Sequence, residues 1–168
     1  MKTYQIDGPW KGRLAIIPRP RGGDWLEDEA RSLKDEGFDI VVSLLTPEES
    51  NELGLAREAE LAQTYGLRVL NFPIRDLGVP ESISAAHKFL DMLHRALTAG
   101  EKIAVHCRQG VGRSGLIASS LLVMSGIDPS IALRRVSAAR GFSVPETPEQ
   151  GDWVLEFSHE LAEPIAKT

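Results

Sequence analysis

Cys107 is the chain's single cysteine among 168 residues. No disulfide is possible within the chain, and a free thiol fits a reducing compartment. No second cysteine exists to resolve an oxidised Cys107, so reversible oxidation would need a backbone sulfenamide or an external thiol. No apolar run approaches a membrane span, and Met1-Lys2-Thr3-Tyr4-Gln5 lacks the apolar core of a secretion signal. A cytoplasmic protein is expected. Repeats, low-complexity tracts and the compositional marks of disorder are also missing. Positive charge is in deficit: 19 Lys and Arg against 24 Asp and Glu leave a net charge of −5. That balance argues against general nucleic-acid binding and against an anionic membrane as partner. What remains, 42% hydrophobic and 26% charged, is the composition of one globular domain large enough for a core. We take 1–168 as that domain, with 1–12 as an irregular arm and 13–162 as the core.

The most informative stretch is His106-Cys107-Arg108-Gln109-Gly110-Val111-Gly112-Arg113-Ser114-Gly115. It follows the apolar run Ile103-Ala104-Val105 and precedes another from Leu116 to Met124, which predicts strand, tight loop, helix. In such a turn successive backbone N–H groups point inward and the helix N-terminus adds partial positive charge, making a concave site for a phosphate-sized dianion. Gly110 and Gly112 supply backbone angles that other residues resist. Arg113, six positions after Cys107, has a planar fork able to hold two phosphate oxygens. Helix N-termini and nearby cations favour the thiolate, which is the nucleophilic form of cysteine. Ser114 would hydrogen-bond the sulfur and ease its departure in a second step. His106 is expected to order the loop from behind.

Around this loop the chain alternates strands and helices. Leu14-Ala15-Ile16-Ile17 reads as a strand, followed by a basic loop, Pro18 to Gly23, which either borders the site or is a solvated turn. Asp24 with Glu27 forms a capping-box pattern for a helix over 25–36 that stops at Gly37. A buried strand is expected over 39–45. Thr46-Pro47-Glu48-Glu49 then restarts a helix with Thr as cap; alternatively Glu48 or Glu49 braces Arg113. A short helix over 55–65 and a strand over 67–72 lead into the breaker-rich loop 73–80. An amphipathic helix over 82–99 stops at Gly100. Its His87, Asp91 and His94 are too few and too solvated for a metal site, and neither metal nor cofactor is expected. Further helices are expected from Asp128-Pro129 through Arg140 and from Thr147-Pro148 through about 162. The fold class is α/β, a parallel-rich central sheet flanked by helices, with the ligand at the carboxyl ends of the strands.

Expelling an alkoxide or phenoxide requires a general acid. Asp76, on the loop that follows the 67–72 strand, is placed to swing over a bound phosphate; the alternative is a solvated turn aspartate. Gln150 reads either as the capping-box partner of Thr147 or as a residue that orients the hydrolytic water.

His-Cys-x-x-Gly-x-x-Arg-Ser resembles the signature of the Cys-dependent protein tyrosine phosphatases, and the chance of meeting its five fixed residues in a chain this long is on the order of one in ten thousand. Phe72-Pro73-Ile74-Arg75-Asp76 resembles the general-acid loop of the dual-specificity branch. Glu146-Thr147-Pro148-Glu149-Gln150 is similar to the family's glutamine loop, but Glu146 stands where a glutamine usually positions the hydrolytic water. The resemblance, to compact atypical dual-specificity phosphatases, implies a metal-independent phosphoprotein phosphatase acting on phosphotyrosine, with phosphoserine and phosphothreonine behind. Its partner would be a phosphorylated protein or peptide, and a monomer is expected. Lipid-directed members usually carry two lysines in the loop, where this chain has Arg108 and Val111. The alternatives are a non-protein phosphate ester, a phosphate-binding module without turnover, and a sulfur transferase of the rhodanese type.

Overall fold

The computed structural model describes residues 1–163. Its strands are β1 (Tyr4–Ile6), β2 (Arg13–Ile16), β3 (Ile40–Ser43), β4 (Arg68–Asn71) and β5 (Lys102–His106). They form one sheet in the order β1-β2-β5-β3-β4, parallel throughout except for β1, which runs antiparallel along β2. The residues 1–12 are therefore not an irregular arm. Three of them extend the sheet, with Tyr4 opposite Ile16 and Ile6 opposite Leu14.

Among the described residues seven α-helices cover the sheet: α1 (Leu26–Asp35), α2 (Pro47–Glu52), α3 (Glu58–Thr64), α4 (Ile83–Thr98), α5 (Gly112–Met124), α6 (Pro129–Arg140) and α7 (Pro148–Ala162). Strand side chains alternate between the faces, and the core divides accordingly. Leu14, Ile16, Ile40, Val42, Ile103 and Val105 pack with α4 to α7, whereas Ala15, Ile17, Val41 and Ala104 pack with Leu33 of α1 and Ala62 of α3. The central helix α5 is buried from Gly112 through Val123, as a helix enclosed on all sides by protein must be.

Several predicted caps form. Thr46 and Thr147 close capping boxes with Glu49 and Gln150, and Asp128 accepts from Ser130 N–H; Ser82, which carried no predicted cap, also caps α4 by accepting from Ala85 N–H. Asp24 does not cap. It lies inside a 3-10 turn, Gly23–Trp25, that leads into α1 without a side-chain cap. Nearby, Arg21 donates to Glu29 and lies over the Trp25 ring, 4.4 Å from its centroid.

Candidate active site

The parallel arrangement brings β5 to the middle of the sheet, and the chain leaves its carboxyl end directly into Cys107. The loop 107–111 closes onto the buried N-terminus of α5, so the partial positive charge of that helix end faces it. Gly110 takes φ +73°, a left-handed conformation that a side chain disfavours. Its N–H turns inward and donates to Cys107 Sγ at 3.2 Å. Gly112 is required for a different reason. A Cβ there would lie 2.8 Å from Glu146 Oε1 and 3.0 Å from Gln150 Oε1, so the 146–150 segment rests against the loop.

Arg113 is 2% exposed. Its guanidinium donates from Nη1 to Glu49 Oε1 at 2.7 Å and from Nη2 to Glu49 Oε2 at 2.9 Å, a bidentate pair. The same group donates to the Ile74 carbonyl at 2.8 Å and to Asp76 Oδ1 at 3.1 Å; none of these bonds uses Nε. Glu49 thus both caps α2 and braces Arg113, while Glu48 is exposed. Burial pushes the Glu49 carboxyl up, but the hydrogen bond from Arg113, the Thr46 N–H and the guanidinium charge outweigh it and hold the group below the usual carboxylate range. Burial also opposes the charge on Arg113, and the hydrogen bond to Glu49 with the negative charges of Cys107, Glu49 and Asp76 overcomes that opposition.

Asp76 sits on a loop pinned at both ends: at Ile74 by Arg113, and at Gly78, whose carbonyl accepts from Gln150 Nε2 at 3.0 Å. Between these points Leu77 takes φ +63° and Gly78 N–H closes a turn on the Arg75 carbonyl at 2.8 Å. A leucine held in that conformation costs energy that the surrounding contacts must offset. Gln150 is fully buried, and its Oε1 accepts from the N–H groups of Glu146 and Thr147. It therefore joins the 146–150 segment to the Asp76 loop. Glu146 itself is exposed above Gly112.

Ser114 departs from expectation. Its Oγ is buried without a hydrogen-bond partner among the described residues, the Cys107 sulfur included; it lies in the buried first turn of α5, and Gly110 N–H serves the sulfur instead. His106 is fully buried, its Nε2 lies 2.7 Å from Glu58 Oε1, and its Nδ1 has no hydrogen-bond partner among the described residues. Glu58, on the face of α3, carried no sequence signal. The basic loop borders the site: Arg19 Nη1 donates to the Arg108 carbonyl at 2.7 Å. Arg108 also lies 3.6 Å from both Glu49 and Glu52. On α4, Asp91, His94 and His87 each meet a protein group. Asp91 pairs with Arg95 at 2.9 Å, His94 meets Ser125 Oγ at 3.1 Å, and His87 packs edge-on against Phe157.

Residues 17–127 match the family described as "Polymorphic toxin system, DSP-PTPase phosphatase". Cyclin-dependent kinase inhibitor 3 of Rattus norvegicus is 29% identical over 139 residues, 82% of this chain and 65% of the relative, so the chain spans somewhat under two thirds of that protein's length. Among solved structures, kinase associated phosphatase carrying a serine for its catalytic site cysteine superimposes with a TM-score of 0.89 at 22% identity, covering 98% of both chains. The complex of PTPMT1 with PI(5)P superimposes with a TM-score of 0.78 at 21% identity, over 95% of this chain and 96% of the other. At such identities the likeness establishes the fold, whereas the match over 17–127 carries further: the chain belongs to the DSP-PTPase phosphatases, the atypical dual-specificity-like branch of the protein tyrosine phosphatase superfamily.

Proposed function

We propose that this phosphatase hydrolyses phosphate monoesters on phosphorylated proteins or peptides through a phosphocysteine intermediate, without a metal. The observation that carries this reading is the double role of Arg113, which lies in the first turn of the helix after Cys107 and reaches both Glu49 and Asp76. One guanidinium thereby links nucleophile loop, brace and acid.

A dianion entering the loop meets inward N–H groups and the helix N-terminus, and it competes with Asp76 for the Arg113 donors. Displacing the 3.1 Å contact leaves Asp76 without its counter-cation, so it takes up a proton from solvent and faces the leaving group as the acid. Cys107 Sγ then attacks phosphorus; the P–S bond forms as the ester P–O bond breaks, and Asp76 gives its proton to the departing oxygen. In the second step water attacks phosphorus, the P–S bond breaks, and the water proton returns to Asp76. Glu146, exposed above Gly112, is positioned beside that water's path. Gln150 spends its carbonyl oxygen on two backbone N–H groups, so it acts by holding the segment and the acid loop together.

A protein substrate is favoured over a lipid because the loop offers Arg108 and Val111 where lipid-directed members of the family usually place lysines. The PTPMT1 complex with PI(5)P makes a phosphoinositide the second reading. Phosphate release from a phosphotyrosyl peptide and from phosphoinositide vesicles, compared for wild type and Cys107→Ser, tests both. The proposal expects peptide turnover by the wild type, none by the variant, and retained peptide binding. Turnover of the vesicles alone would replace the protein substrate with the lipid, and binding without turnover by the wild type would make the chain a phosphate-recognition module.

A further inference from the structure

The mechanism uses the inward side of the 107–111 loop, but its outward side is also occupied. The Arg108 carbonyl accepts from Arg19 Nη1 at 2.7 Å, the Gln109 carbonyl from Arg140 Nη2 at 3.2 Å, and the Gly110 carbonyl from Arg140 Nε at 2.7 Å. These are three consecutive peptide groups. Two cations grip them from outside, Arg19 from the loop after β2 and Arg140 from the last residue of α6.

A trans peptide is planar, with its N–H and C=O pointing to opposite sides. Turning three carbonyls outward therefore turns the N–H groups of Gln109, Gly110 and Val111 toward the interior of the loop. One of them is already engaged there. The Gly110 N–H that donates to Cys107 Sγ belongs to the peptide whose carbonyl Arg140 holds through Nη2. A charged donor on one end of a peptide strengthens the donor at its other end, since hydrogen bonds in series polarise one another. Converging N–H dipoles also repel when nothing negative lies between them, so an empty loop of this shape needs support from outside.

Arg140 is built to give that support. Its guanidinium lies 4.1 Å from the centroid of Tyr4 and 5.0 Å from that of Phe142, stacked between the edge strand and the loop after α6. That placement fixes the plane of the fork, and Nε and Nη2 meet two adjacent carbonyls.

We propose that Arg140, assisted by Arg19, is a positioning residue of the phosphatase site, holding the loop in its anion-binding form from outside. This inference rests on the reading of the loop as a phosphate cradle. Neither arginine is assigned a contact with the reacting atoms. The charged groups associated with the loop's inner side are Arg113, Asp76 and Glu49, with Arg108 and Glu146 at its edge, and all of them stay in place in the variants below.

The test is protection of Cys107 from iodoacetamide by inorganic phosphate at one fixed pH, which reads phosphate affinity without turnover. Arg140→Ala, losing two bonds, is expected to weaken protection about tenfold, and Arg19→Ala, losing one, about threefold. Arg140→Lys, which keeps the charge but reaches a single carbonyl, should fall between wild type and Arg140→Ala. Wild-type phosphate affinity in a folded Arg140→Ala overturns the inference. Should Arg140→Ala fail to fold, Arg19→Ala decides the matter, because Arg19 is exposed and its unchanged protection would overturn the proposal equally. A wild type that phosphate does not protect at all would remove the cradle reading itself, and this inference with it.

Discussion

Replacing Glu49 with Gln changes one atom and a charge, yet its consequences spread to the whole site. Arg113 is 2% exposed, and both of its terminal nitrogens rest on the Glu49 carboxylate at 2.7 and 2.9 Å. A glutamine keeps one acceptor and turns an amide N–H₂ toward a guanidinium that already points N–H groups at it. One charge-assisted hydrogen bond is lost, and the second keeps its charged donor but loses the charge on its acceptor. Hydrogen bonds to charged groups contribute about 1.5–3 kcal/mol, and breaking a fully buried ion pair costs about 3–5 kcal/mol. Asp76 stays at 3.1 Å as a partial counter-charge, so the expected cost is at the low end, about 2–3 kcal/mol. For a domain of this size that lowers Tm by about 4–12 °C. kcat/KM should fall at least about tenfold, because the fork that grips phosphate loses its fixed plane. Thr46→Ala is the control. It removes the cap, costing about 1 kcal/mol, but leaves the carboxylate on Arg113, so kcat/KM should change by less than about threefold. The pH dependence gives a further check. Because the Glu49 carboxyl is held low in the folded state, its stabilisation is complete above the unfolded value of 4.5 and is lost as pH falls through the folded value. The Tm difference between wild type and Glu49→Gln should therefore be flat near neutrality and shrink below about pH 4.5. Calorimetry from neutral to acid pH, together with para-nitrophenyl phosphate kinetics, measures all of this. A wild-type Tm and kcat/KM in Glu49→Gln, or a Tm difference that stays constant at the acid end, would refute the reasoning.

Arg113→Lys should lose at least two orders of magnitude in kcat/KM despite equal charge, since one ammonium cannot meet Glu49 and a phosphate in the same plane; a loss of only a few-fold would place the cradle's main cation elsewhere. Asp76→Asn should slow an alkyl or unactivated phenyl phosphate about a hundredfold and flatten the basic limb of its pH profile, while sparing an activated aryl phosphate. Equal effects on both substrates would assign the acid to another residue.

Much of this architecture was written in local pattern. The run Ile103-Ala104-Val105 before Cys107 and the apolar stretch after it specify strand, loop and buried helix, and the alternation in β2, β3 and β5 separates the two cores. What escaped the sequence depends on distance along the chain. Glu58 meets His106 across 48 residues and Arg140 meets Gly110 across 30, and neither carries a local mark; Arg140 beside Gly141 reads only as a cation suited to a helix C-terminus. Strand β1 has three residues, too few for a periodic signal next to Gly8-Pro9. At Asp24 the capping pattern lost to Arg21, whose contacts with Glu29 and Trp25 hold the turn instead. Glu49 is the instructive case. Capping and bracing read as alternatives, but a carboxylate has two oxygens, and here Oε1 accepts from Thr46 N–H and Arg113 while Oε2 accepts from Arg113 and lies 3.6 Å from Arg108.

The central claim is that the Cys107 thiolate is the nucleophile and that no metal takes part. Steady-state hydrolysis of para-nitrophenyl phosphate in the presence of EDTA, by reduced wild type and by Cys107→Ser, tests it most directly. The account predicts full turnover by the wild type and none by the variant. Turnover that survives in Cys107→Ser, or that EDTA abolishes in the wild type, would contradict it.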